Sequence, residues 1–285
     1  MKKIFCIAIM LSLVCSAQPA IEKGKTEILD FGDFKLHVYN TNDALGNASY
    51  IIEGKNGLVT LEHPLFKDNI VEFNAYINRL KKPVVKSIAD YHLSGSYADF
   101  QSSGVVMAQG MPAFEKGEIY GGMMQNFSKI FGDTIDVRPH GKVEEVPFGD
   151  TRNWAGISFA FSKGAASDFP ASSILIGDKV YYMHFTPAAN VHMNALQLPN
   201  REAIDATLAE LKHAKASGAT TFIGGHGAAT GDKNAVDFQI EYLEKVKKTV
   251  SEIRTGDEFI LVMQMIYKDM VGEESLTSLA TNLYK

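Results

Sequence analysis

Cysteine is the scarcest chemistry in this chain: only Cys6 and Cys15 occur, both within the first fifteen residues. A chain cleaved after Ala17 carries no thiol, which excludes a disulfide framework and a cysteine-ligated metal. Positive charge is not in excess either, since 28 Lys and Arg face 33 Asp and Glu for a formal charge of −5. That balance argues against nucleic acid or an anionic membrane as partner. No Pro- or Ser-rich linker, repeat or low-complexity tract divides the sequence. The run Ile4 to Val14 follows Lys2 and Lys3 and precedes Cys15-Ser16-Ala17. It is short for a membrane span and reads as a secretory signal peptide over residues 1–17, so export to a periplasm is expected. Lipidation at Cys15 is the weaker alternative, because Val14 and Ser12 suit a lipoprotein cleavage site poorly.

Without Lys2 and Lys3 the charge becomes −7, and residues 18–285 are expected to form one domain with a sizeable core. Its early part alternates. Thr26 to Phe31 and Phe34 to Tyr39 flank Gly32-Asp33, a hairpin signal, with His37 on the polar phase and expected to be exposed. Asn47 to Ile52 and Leu58 to Leu61 flank a turn with two glycines and pair as a second hairpin. Apolar residues at Ile70, Val71, Phe73, Tyr76, Ile77 and Leu80 give a helix over 68–80.

The most informative stretch follows. Pro83 to Ile88 is a short apolar run that stops in Ala89-Asp90-Tyr91-His92-Leu93-Ser94-Gly95, the pattern of a buried strand delivering its loop to a site. On an extended tip Asp90 and His92 leave the same face and can meet one ion. A second strand-like run, Thr220 to Ile223, ends in Gly224-Gly225-His226-Gly227. The glycines let the backbone pass close to whatever the imidazole contacts.

A strand ending in a histidine loop, the upstream strand pair and the late Gly-His-Gly together resemble the metallo-β-lactamase superfamily. The resemblance covers nearly all of residues 18–285 and implies an α/β (α+β) fold, the four-layer αββα sandwich. Strands and helices that alternate twice fit that architecture. Where the superfamily carries H-x-H-x-D-H, this chain has Asp90-x-His92-x-Ser94-Gly95, and where its G-H-T-P-G-S loop stands, Ser167-Asp168-Phe169-Pro170-Ala171-Ser172. The bridging aspartate after the Lys179 to Met183 strand is replaced by His184 or Phe185.

The resemblance therefore implies a single divalent ion, Zn with Fe or Mn as alternatives, held by some of Asp90, His92, Asp168, His184 and His226. It places Glu62 behind the site as a carboxylate that orients an imidazole. Asp90 or Asp168 would serve as base for water attacking an ester, lactone, amide or phosphoester. His192 and Asn194, in the loop after Thr186, would contact the small-molecule substrate. The alternative reading is a pseudoenzyme without metal that binds a ligand or partner in the same pocket. Residues 112–131, rich in Met and Phe, read as core or as a lid. Arg138 to Gly141 reads as a turn. Later helices are expected over 200–216, 234–254, 258–270 and 276–284.

Overall fold

The computed structural model describes residues 23–93, 104–165, 170, 172–227 and 230–285. The signal peptide read at residues 1–17 lies outside them. Two sheets carry the chain. The first holds seven strands in sequence order: β1 (Lys25–Asp30), β2 (Lys35–Asn40), β3 (Ala48–Gly54), β4 (Gly57–Leu61), β5 (Val84–Ile88), β6 (Val105–Ala108) and β7 (Val143–Val146). Its first four strands pair antiparallel and its last four parallel. The second sheet holds β8 (Thr151–Trp154), β9 (Ile157–Lys163), β10 (Ser172–Ile176), β11 (Val180–Phe185) and β12 (Thr221–His226). Only its β11 and β12 run parallel.

Apolar side chains sort these sheets into layers. Leu36, Val38, Ile52 and Leu61 of the first sheet pack against Phe159, Phe161, Ile176 and Val180 of the second, forming the central core. The opposite face of the first sheet, with Tyr39, Ile51 and Leu58, is covered by Phe73 and Ile77 of α1 (Lys67–Leu80). The opposite face of the second, with Tyr181, Met183 and Phe222, is covered by α4 (Glu202–Ala216), α5 (Lys233–Glu252), α6 (Gly256–Ile266) and α7 (Ser275–Leu283). The result is the four-layer αββα sandwich. Among the described residues no helix is long and apolar enough to cross a membrane.

Both hairpins form at the expected turns, with Asp30 facing Lys35 and Gly54 facing Gly57. The later helices end within four residues of the expected bounds, and side-chain caps fix the starts of two: Asp232 accepts from the Ala235 amide and Thr255 from the Glu258 amide. Residues 112–131 divide at Gly117 into α2 (Met111–Glu115) and α3 (Glu118–Phe131), which put Met111, Tyr120 and Met124 into the central core. The 138–141 turn also contributes to that interior, since His140 is buried and its Nδ1 lies 2.7 Å from Glu115 Oε1.

His37 departs from expectation. It is buried, not exposed, because α1 covers the polar phase of β2, and it meets Tyr76 and Glu53 there. Period-two alternation locates a face but cannot tell whether a helix lies on it.

One side chain ties the two sheets directly by two hydrogen bonds. The buried Tyr50 hydroxyl on β3 donates to the Gly224 carbonyl on β12 and accepts from the Gly224 amide at 3.2 Å. Changing Tyr50 to Phe strands both backbone groups, and the expected loss is about 1–3 kcal/mol of unfolding free energy. Urea denaturation measures it; an unchanged midpoint would show that the sheets are joined without these bonds.

Candidate metal centre

Three strands end at one edge of the sandwich. β5 runs parallel to β4 and β6, and β11 parallel to β12, so their carboxyl ends emerge together. β5 leads into His92, β11 carries His184 near its end, and β12 ends at His226. An isolated bridge between Asn47 and His226 draws the loop before β3 to the same place.

Small residues make the approach possible. A side chain at Gly225 would put its Cβ 2.7 Å from His92 Cε1 and 3.0 Å from Nδ1. One at Gly224 would sit 2.3 Å from the Thr186 amide nitrogen. Gly227 has φ +102, open to glycine and rare for other residues.

The three imidazoles face one another. His92 Nε2 lies 3.1 Å from His226 Nε2, and one ring nitrogen from each of His92, His184 and His226 falls within 4.8 Å of the other two. Nitrogens bound tetrahedrally to zinc at about 2.0–2.1 Å stand roughly 3.4 Å apart, so the present spacing needs only small adjustment to hold an ion. Protonation is also suitable. Burial, reinforced by the neighbouring rings, holds His184 well below the usual imidazole range and His226 at about 4. Both are neutral ligands near neutral pH.

Each ring is oriented from behind. Glu62, fully buried just past β4, accepts from the Tyr91 amide at 2.8 Å, the His92 amide at 2.7 Å and the Tyr182 hydroxyl. Its Oε2 also lies 3.3 Å from His92 Nδ1, which assigns the proton to Nδ1 and leaves Nε2 as the free lone pair. His226 bonds to the Leu45 carbonyl and so keeps its own Nε2 free. His184 stacks flat on Tyr91, with ring centroids 4.1 Å apart and planes 3° from parallel.

The other sequence candidates stand elsewhere. Asp90 is fully buried and turned away from the imidazoles: both of its oxygens lie 3.1 Å from the Ser172 amide, joining the β5 loop to the start of β10. Burial and the nearby Glu62 raise its pKa well above the carboxylate range. The same-face argument for Asp90 and His92 requires extended backbone, but Asp90 and Tyr91 sit in a bend held by Glu62. Asp168 lies outside the described residues, as do Ser94 and Gly95.

His192 and Asn194, the expected substrate contacts, both have partners within the protein. His192 is buried with Nδ1 3.0 Å from the Tyr242 hydroxyl, and Asn194 Oδ1 caps the Leu196 and Gln197 amides. Tyr91 and Tyr182 support the centre without having been given a role in the sequence, whereas Gly225 makes the close approach expected of the glycines around His226. A tyrosine in an apolar strand such as β11 needs a partner for its hydroxyl, and that need was the available signal.

Gly225 generates a sharp expectation. Gly225→Ala should displace the His92 ring and lower affinity for added zinc by about tenfold or more, with the fold retained by circular dichroism. Unchanged zinc affinity in a competition titration would mean that His92 is not placed by this contact.

Neither a protein-family model nor a curated protein sequence matches the chain. Solved structures do match. A metallo-β-lactamase family protein from Thermus thermophilus is 11% identical, with a TM-score of 0.58 over 92% of this chain and 92% of that one. A β-lactamase domain protein from Burkholderia ambifaria is 11% identical, with a TM-score of 0.59 over 90% and 88%. A metallo-β-lactamase from Pontibacter korlensis is 14% identical, with a TM-score of 0.51 over 77% and 99%. The strand order, the layers and these likenesses agree: the chain is a divergent metallo-β-lactamase-fold protein.

Proposed function

We propose that this chain is an exported metal-dependent hydrolase whose single divalent ion, zinc by preference, is held by His92, His184 and His226. The observation that carries the reading is the convergence of three imidazoles, each with a ring nitrogen within 4.8 Å of the others. Three imidazole ligands that leave a fourth position for water are the arrangement of catalytic rather than structural zinc. An ion bound there supplies Lewis acidity, lowering the pKa of water and offsetting negative charge that develops on an attacked carbonyl or phosphoryl oxygen.

The chain's own part is orientation and proton control. Glu62 fixes the His92 tautomer while the Tyr182 hydroxyl, whose pKa burial raises far above its usual value, remains a donor to that carboxylate. Tyr91 holds the plane of His184. Asp90 is committed to the Ser172 amide, so the base is assigned to Asp168, the remaining sequence candidate. The substrate class is an ester, lactone, amide or phosphoester.

Elemental mass spectrometry on the purified protein should find about one equivalent of metal, lost in His226→Ala together with hydrolysis of a chromogenic ester, lactone or phosphoester panel. Retained activity in that variant would sink the proposal. No metal in the parent protein, even after refilling with Zn, Fe or Mn, would favour a ligand-binding protein without catalysis.

A pH dependence follows as well. The folded pKa of His226, about 4, lies below its ordinary 6.5. The unfolded chain therefore binds the proton first, and stability of the metal-free protein falls as pH drops from about 6.5 towards 4. The contribution is at most ~3 kcal/mol. Urea midpoints across this range should fall more steeply for the metal-free parent than for His226→Gln; parallel profiles would contradict the assignment.

A further inference from the structure

On the outer face of the seven-stranded sheet, away from the three imidazoles, a cavity of about 260 Å³ opens between α1 and the first two strands. Its wall is formed by Glu72, Tyr76 and Arg79 of α1, with Tyr39 of β2 and Gly24 and Lys25 at the start of β1. Positions 72, 76 and 79 share one helical face.

Behind the cavity runs a chain of three side chains. Glu53 is paired with Lys82 at 2.8 Å, and its other oxygen lies 3.0 Å from His37 Nε2. A carboxylate held ionised by a lysine only accepts, so Nε2 carries the imidazole proton. His37 Nδ1 is therefore a lone pair, and at 2.7 Å it takes the proton of the Tyr76 hydroxyl. The Tyr76 oxygen thus presents lone pairs to the cavity it lines. Glu72 Oε2 receives the Tyr39 hydroxyl at 2.6 Å and the Gly24 amide at 3.0 Å. Glu72 Oε1 has no partner among the described residues.

The cations on the wall are uncommitted in the same sense: among the described residues neither Lys25 nor Arg79 has an ion-pair partner. Arg79 lies over the Tyr76 ring, its Cζ 5.3 Å from the centroid. Stacking pre-orients a guanidinium whose fork matches a carboxylate. Acceptors, cations and the Tyr76 ring therefore meet in a space sized for a small molecule.

From this arrangement we propose a second binding site, for a free amino acid: its carboxylate on Arg79 and Lys25, its ammonium on Glu72 and the Tyr76 oxygen, its side chain beside the Tyr76 ring. The site shares no residue with the metal centre and stands independently of the hydrolase reading.

Ligand-observed NMR on the purified protein tests it, with L-phenylalanine, L-leucine, L-lysine and L-glutamate as probes. At least one should bind saturably. Arg79→Ala and Glu72→Gln, both conservative of the fold because Arg79 is exposed and Gln still accepts, should each weaken it by about tenfold. N-acetylation or amidation of the bound amino acid should do the same. No saturable binding by any probe up to ~10 mM would overturn the proposal. Binding indifferent to both substitutions would overturn the placement. Binding that survives acetylation but not Arg79→Ala would reveal a simple anion site instead.

Discussion

A single buried carboxylate holds the working end of this molecule together. Glu62 follows β4 in a left-handed conformation, φ +55, which for a residue with a side chain costs about 1–2 kcal/mol. That turn sends the carboxylate under the β5 loop, where two backbone amides and a tyrosine hydroxyl from the other sheet converge on it. A carboxyl group with no solvent is tolerable only when it is this fully hydrogen-bonded. The same contacts that satisfy it fix Tyr91 and His92, and Tyr91 in turn fixes His184. Local strain at one residue is thus exchanged for the positions of two imidazoles.

The layer order and both hairpins were legible in the sequence because alternation, turn glycines and helical spacing are local signals. His226 was legible for the same reason, since a histidine between glycines at a strand end has few other uses. Asp90 was misread where the argument needed knowledge of the backbone between two residues, and His37 where it needed knowledge of what covers a face. Tyr50 and Tyr182 left a sign that their hydroxyls need partners, but none of which partners. Their partners, Gly224 and Glu62, lie 174 and 120 positions away.

The carboxylates around the three imidazoles have a common physical role. His-rich sites that hold two ions need carboxylates to balance the added charge. Here the carboxylates nearest the three imidazoles are withdrawn: Glu62 accepts backbone amides and Asp90 pins the start of β10. What remains at the strand ends, among the described residues, is a set of three imidazoles.

The bond between Tyr50 and Gly224 spans 174 positions of chain, and the contact between His92 and His226 spans 134. Closing the larger loop in an unfolded chain costs ~5 kcal/mol of entropy before any contact compensates it. The centre consequently cannot exist on a partial chain. During synthesis every strand of the first sheet can emerge before β12 is available to complete it, so assembly of the three imidazoles is a late event, and an ion held by all three would mark a chain whose two halves have already met.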